Sequence, residues 1–310
     1  MNTINTQDLI NFLMQQNQTK TIELDKLKEM FFNKLKFNNR PGTINGYKEC
    51  LKRIFRFLNN KNIKYTHQIN SDVINEFISI RINNVKNVTI NKEIKALKTM
   101  LNYGVELELI DSVGFKFKKL KETKAEIPVI KKDDINKIIK YLNTGMKDKK
   151  YKLAFLLMLS TGIRTTELLN IKNKNIDLKN KVIKLDFTKN GKERNIYIVD
   201  DLIDLIKEIM NDNIYLFNDK LNNQMTANNL RMFFKHIKED LNIDVLSPHK
   251  IRHFYATTIY NNSLDIYLTS NLLGHSDIKM TQIYLDLDNN NNQQKNAQFN
   301  PLNYLDPLTS

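Results

Sequence analysis

Leu153-Ala154-Phe155-Leu156-Leu157-Met158-Leu159-Ser160-Thr161-Gly162-Ile163-Arg164-Thr165-Thr166-Glu167-Leu168 is the stretch on which the fold turns. Residues 153–159 are almost wholly apolar, which predicts a helix running through the centre of a core. Gly162 can take a turn conformation, and Arg164 then opens the next helix. An arginine in that place can clamp a phosphate at a helix N-terminus. Equally, it can be a surface residue that pairs with Glu167 one turn later. Around this stretch, Asp133 to Leu142 is amphipathic, and helical patterns recur over Leu202–Met210 and at Leu230, Phe233, Ile237 and Leu241. Between them Ile183, Leu185 and Phe187 alternate with polar residues, Asn190-Gly191 supplies a turn, and residues 195–199 are rich in β-branched and aromatic residues. That is a β-hairpin signature. The expectation is a mainly α protein with a small β-sheet, an α+β class, with this domain over 132–287.

Further upstream lies a different composition. Tyr47, Leu51, Ile54, Phe55 and Leu58, and again Ile90, Ile94, Leu97 and Leu101, repeat at helical spacing. Their polar faces carry Lys48, Lys52, Arg56, Lys92, Lys95 and Lys98. Pro41-Gly42-Thr43 and Ser71-Asp72 are helix start signals. A small basic helical domain is expected over 21–112, after a polar segment at 1–20. Residues 113–131 lose periodicity and are dense in Lys and Glu before Pro128, as an exposed linker reads. The tail, 288–310, opens with an Asn/Gln-rich tract and ends with an apolar stretch at Pro301–Leu305 that could dock on a neighbour.

Composition narrows the class of partner. The 310 residues are 41% hydrophobic, enough for two domains of ordinary size. Forty-eight Lys and Arg against 34 Asp and Glu give a net charge of +14. Residues 1–124 hold 22 of those cations and 12 of the acids, so most of the excess is N-terminal. Such a balance suits a polyanion, nucleic acid or an anionic membrane surface. No run of eighteen apolar residues or signal-peptide pattern occurs, so a cytoplasmic protein without a membrane span is expected. A single cysteine, Cys50, excludes an internal disulfide, and no Cys/His spacing suggests a structural zinc site. No P-loop string is present.

Three further motifs could carry chemistry. The hairpin Thr188-Lys189-Asn190-Gly191-Lys192-Glu193-Arg194 presents three cations at its tip, where a lysine could protonate a leaving alkoxide in a DNA groove. Charged hairpin tips commonly serve only solubility. In Ser247-Pro248-His249-Lys250-Ile251-Arg252-His253, Pro248 can start a helix that sets His249 and Arg252 on one face. His249 and His253 have zinc-ligand spacing, but Lys250 stands where a zinc protease has its Glu. Leu273-Gly274-His275-Ser276-Asp277 is followed by Thr281-Gln282-Ile283-Tyr284. A tyrosine flanked by Ile283 and Leu285 is, taken alone, more often half-buried core than nucleophile.

Taken together, T-G-x-R-x-x-E-L, a basic hairpin, H-x-x-R, L-G-H and a tyrosine nine residues on resemble the tyrosine recombinase, or phage integrase, family, Xer recombinases included. The resemblance spans Asp133 to Tyr284, and the N-terminal part is similar in layout to that family's helical core-binding domain. It implies that Arg164 and Arg252 hold the scissile phosphate, that Lys189 protonates the leaving 5′-oxygen, and that His249 and His275 line the phosphate. Tyr284 would be the nucleophile and Glu167 a buttress behind the cations. Asn190 stands where the family often has Gly, which leaves Lys192 in competition with Lys189. Lys48, Lys52, Arg56, Lys92, Lys95, Lys98, Lys192 and Arg194 are candidate DNA contacts. The implied partners are double-stranded DNA and three further protomers, identical or related, in a tetramer on that DNA. No cofactor or metal is implied, because arginine and lysine supply the positive charge. A nicking and closing activity of the type IB topoisomerase kind, and a catalytically silent DNA-binding protein, are the alternatives.

Overall fold

The computed structural model describes residues 20–123, 128–144, 148–186, 193–219, 221–275 and 277–285, with 283–285 described through the backbone alone. The chain divides into two compact units, one ending at Ala125 and the other starting at Glu126.

The described part of the first unit is helical. Helix α1 (Leu24–Asn38) buries Leu24, Leu27, Phe31 and Leu35, a single stripe at helical spacing. Helix α2 (Pro41–Asn60) begins with Pro41 in its first turn and buries Leu51, Ile54, Phe55 and Leu58. Helix α3 (Ser71–Ile82) is capped by Asn70, whose side-chain oxygen accepts from Val73 N at 3.0 Å. A cap of this kind contributes about 1 kcal/mol. Helix α4 (Asn87–Glu106) is the central one, packing on α1, α2 and α3 and burying Ile90, Ile94, Leu97, Met100 and Leu101.

The stretch after α4 differs from an exposed linker in its first half. Phe115 is buried, and Val113, Phe117 and Leu120 pack on the same core. Asn91 of α4 fixes this extended chain: its Nδ2 donates to Leu120 O at 3.0 Å and its Oδ1 accepts from Leu120 N at 2.9 Å. Over Phe115–Lys118 lysines alternate with phenylalanines, so the Lys-rich composition hides a short strand-like period of two.

The second unit is built around helix α6 (Lys149–Thr161), which buries Leu153, Ala154, Phe155, Leu157 and Met158 as the apolar run predicts. Helix α5 (Lys132–Thr144) precedes it, and the short α7 (Thr165–Leu169) follows. An antiparallel sheet of three strands comes next: β1 (Ile176–Asp177), β2 (Val182–Leu185) and β3 (Arg194–Tyr197), in that order. The register Ile183↔Ile196 and Leu185↔Arg194 gives the expected hairpin pairing, while β1 is an addition to it. Helices α8 (Ile203–Ile209), α9 (Ala227–Leu241), α10 (Pro248–Ser263), α11 (Ile266–Leu273) and α12 (Lys279–Leu285) follow among the described residues. Helix α10 packs along α6, and both α11 and α12 pack on α10. Gly162 ends α6 at φ +59°, where an added Cβ would lie 2.4 Å from the Tyr255 ring of α10. That contact is why α6 and α10 can close on each other at the point where Arg164 follows. Among the described residues, no helix is long and apolar enough to cross a membrane.

Candidate active site

The site is organised by the end of one short helix. Asp265 starts α11 by accepting from Tyr267 N at 2.7 Å and Leu268 N at 2.9 Å. Gly274 ends it at φ +63°, and the amides of Gly274 and His275 turn back to Asn271 O and Ser270 O. The last carbonyls of such a turn lack helical donors and carry the negative end of the helix dipole, so they attract cations. Here three successive ones are each taken by a different arginine. Arg194 Nη1 donates to Leu272 O at 2.8 Å, Arg252 Nη2 to Leu273 O at 2.7 Å, and Arg164 Nη2 to Gly274 O at 3.1 Å.

Glu167 lies beneath these guanidinium groups with no side-chain exposure. Its Oε1 accepts from Arg164 Nη1 at 2.8 Å, and its Oε2 from Arg194 Nη2 at 2.7 Å and from Arg164 N at 3.1 Å. Burial pushes the carboxyl upward, but the Arg194 charge and the hydrogen bonds from Arg194 and Arg164 outweigh it and hold the group below its ordinary range. The pairing of Arg164 with Glu167 that the sequence allows does form, in the interior and not on the surface. Arg252 is buried at 4% exposure and also donates to Gly162 O. Three guanidinium groups thus converge with one carboxylate, an excess of positive charge suited to an oxyanion.

His275 follows directly from the turn. Its Nδ1 is 2.9 Å from Oγ1 of the fully buried Thr281 in α12. Burial, and then the charges of Arg252, Arg164 and Arg194, push its pKa down to about 4, so the ring is neutral at pH 7. A neutral imidazole in this place can accept a proton or hydrogen-bond an oxygen. Thr281 has no mark in the sequence, because a lone threonine gives no spacing signal.

His249 is exposed, three residues ahead of Arg252 on α10, whose start is set by Pro248 and by Ser247 Oγ accepting from Lys250 N at 3.3 Å. Lys250 donates to Pro128 O at 2.8 Å. Tyr284 belongs to α12, and the backbone of that helix packs on both α10 and α11. Lys189 and Lys192 lie outside the described residues. Among the described residues, no group of three or more His, Cys, Asp or Glu is placed to hold a metal ion.

Arg194 corrects one expectation. It is not a cation at a hairpin tip available to DNA; its side chain is 13% exposed and bound to Glu167 and Leu272 O. The cause is strand alternation: Arg194 lies opposite Leu185 and two residues before Ile196, both of which face the core.

In the first unit the candidate DNA contacts lie along α2 and α4. Lys48, Lys52 and Arg56 are exposed at successive four-residue intervals and line a groove of about 760 Å³ together with Lys28 and Lys36 of α1, two cations that helical spacing along α2 and α4 does not point to. Lys92 and Lys95 line a second groove against Thr43, Gly46 and Tyr47, and Lys98 is exposed further along α4.

Comparison with known proteins then decides the family. The phage integrase family model matches residues 128–291, and that of the phage integrase SAM-like domain matches residues 28–121. The chain belongs to the phage integrase family. Tyrosine recombinase XerA of Saccharolobus solfataricus is 30% identical over 259 residues, 79% of this chain and 82% of that one. Tyrosine recombinase XerC of Staphylococcus aureus is 24% identical over 281 residues, 86% of this chain and 93% of that one. In fold, the chain is similar to a lambda integrase dimer bound to a COC′ core site, with a TM-score of 0.72 at 16% identity over 90% of this chain and 81% of that one. As a phage integrase family member the protein is a tyrosine-type site-specific recombinase, and a topoisomerase-like or silent reading is not favoured.

Proposed function

We propose that this recombinase cuts and rejoins double-stranded DNA through Tyr284. The phenolic oxygen attacks a backbone phosphorus, a new O–P bond forms a 3′-phosphotyrosyl link, and the P–O5′ bond breaks. The proton lost by Tyr284 passes to a neighbouring base, for which neutral His275 is suited, and the leaving 5′-oxygen takes a proton from Lys189. Arg164 and Arg252 hold the phosphate and stabilise its charge in the transition state, with His249 beside them and Glu167 behind them. Because the tyrosyl link retains the energy of the broken phosphodiester, religation needs neither ATP nor a metal. The observation that carries this reading is that Arg164 and Arg252 are both anchored on the turn ending in Gly274, immediately before His275 and close in sequence to Tyr284.

In this reading 132–287 is the catalytic domain and 21–112 the core-binding domain that grips DNA through Lys48, Lys52, Arg56, Lys92, Lys95 and Lys98, with 113–131 joining them and Lys192 adding a contact from the hairpin. The protein works as a tetramer on DNA in the cytoplasm, at the nucleoid, with 288–310 as a segment exchanged between protomers. The last of these segments and Lys192 lie outside the described residues. The test is covalent capture: wild type and Tyr284→Phe are incubated with a pool of nicked duplexes of random central sequence and resolved in SDS. Wild type should retain DNA and Tyr284→Phe should bind the same duplexes without retaining them. Equal retention by both would overturn the assignment of Tyr284.

A further inference from the structure

We propose that Arg194 is a positioning residue of this active site, bridging the Glu167 carboxylate to the Leu272 carbonyl and so locking the pose in which Arg164 and Arg252 meet the phosphate. The inference rests on the reading of those two arginines as the phosphate clamp. Four observations carry it. Arg194 is the only described residue whose side chain bonds both Glu167 and the turn at the end of α11 apart from Arg164 itself. It approaches both from β3, so the hairpin strand, the buried carboxylate and the helix end are joined through one guanidinium. Its charge is the largest influence holding Glu167 ionised against burial, and an ionised Glu167 is what fixes Arg164. Finally, the turn is shaped to receive it: a Cβ added to Gly274 would lie 2.7 Å from Arg194 Cδ and 2.9 Å from its Nε.

Chemistry explains why an arginine is needed. A guanidinium presents donors in a planar fork, so one group can serve a carboxylate on one side and a carbonyl on the other with fixed geometry. A lysine keeps the charge beside Glu167 but ends in a single ammonium and cannot span both acceptors in that way. With the lysine, Leu272 O loses its donor, the turn loosens, and the carbonyls that hold Arg252 and Arg164 move with it. Substrate binding depends mainly on the total charge along the duplex, whereas the cleavage step depends on donors aimed at the transition state. Arg194 should therefore affect rate far more than affinity.

The experiment uses the full chain and the nicked duplex that wild type captures from the random pool. Arg194→Lys and Arg194→Gln are compared with wild type for duplex affinity, for the single-turnover rate of adduct formation at saturating protein, and for its final amplitude. The expected result is a rate loss of about 10–100-fold for Arg194→Lys, the range seen when groups supporting a reactive centre are altered, and a larger one for Arg194→Gln. Affinity should change by less than about threefold and amplitude should stay near wild type. A merely structural role would lower amplitude in proportion to the unfolded fraction and leave the rate alone, and that outcome overturns the proposal. Rates within about twofold of wild type for both variants also overturn it. Should wild type itself capture no duplex, the recombinase reading falls first and this inference with it. Amide exchange gives a check on the same variants without DNA: Gly274 and His275, whose N–H groups close the turn, should exchange at least about tenfold faster in Arg194→Lys, and unchanged exchange contradicts the mechanism.

Discussion

Each unit of this protein contains a glutamate with no side-chain exposure, held by two arginines. In the first unit Glu93 receives Arg81 at 2.7 Å and Arg53 at 3.6 Å. In the second Glu167 receives Arg164 at 2.8 Å and Arg194 at 2.7 Å. The two clusters look alike as charge pairs, yet their arginines differ. Arg81 and Arg53 are 22% and 46% exposed and tie helices α2, α3 and α4 together. Arg164 and Arg194 are 16% and 13% exposed, and each also donates to a carbonyl at the end of α11, where Arg252 donates to a third. A buried ion pair by itself is therefore no sign of chemistry. What distinguishes the second cluster is that both of its guanidinium groups are little exposed and are held at one helix end beside a third, Arg252, as an anion site for a transition state requires.

The largest effect that would sharpen this contrast is on stability. Removing Glu167 leaves two little-exposed guanidinium groups without their carboxylate, so Glu167→Ala should destabilise the second unit by about 3–5 kcal/mol. Glu93→Ala should cost less, because Arg53 and Arg81 can turn to water. Urea unfolding followed for each unit measures both, and equal losses would break the comparison. The next effect is on rate. Arg252→Ala should slow adduct formation by about 10²–10³-fold, while Arg81→Ala should leave it within about twofold of wild type once the protein is saturating; single-turnover capture distinguishes them.

Acid provides a third, smaller effect. His275 and His253 have pKa values lowered from 6.5 to about 4, in both cases first by burial. The unfolded chain takes up these protons near 6.5 and the folded second unit does not, so its stability should fall as pH drops from about 6.5 towards 4, with the loss complete below that. Glu167, held below its ordinary range, adds a further loss at still lower pH. Urea midpoints at pH 7.5 and 5 test this, and His275→Asn with His253→Asn should flatten the slope. The smallest effect belongs to the exposed lysines: Lys52→Ala should weaken DNA binding uniformly across sequences and reduce the slope of log affinity against log salt by about 1. An unchanged slope would remove Lys52 from the interface.

Much of this contrast is legible in the amino-acid sequence. The stripe Leu51, Ile54, Phe55 and Leu58 and the apolar run at 153–159 mark α2 and α6, because burial fixes their periodicity. The order of Arg164, His249, Arg252, His275 and Tyr284 carries the family. Helix α1 has no comparable start signal, since Glu23 before it gives no side-chain cap and a polar segment precedes it. Helix α11 has only eight residues, too few to establish a period, although Asp265 is a fair start signal. The inward course of Arg194 is contained in the alternation of Arg194, Ile196 and Ile198, but the charge of the neighbouring tip points to an outward one. Convergence of three arginines on one helix end is not legible at all, because carbonyls carry no letter in a sequence.

Mapping the covalent link identifies the nucleophile. The adduct trapped by wild type is digested with nuclease and protease, and the peptide carrying the residual nucleotide is identified by mass spectrometry. A single modified peptide with the nucleotide on Tyr284 is expected; a link to any other residue, or tight DNA binding with no link on any duplex, would contradict the assignment of Tyr284.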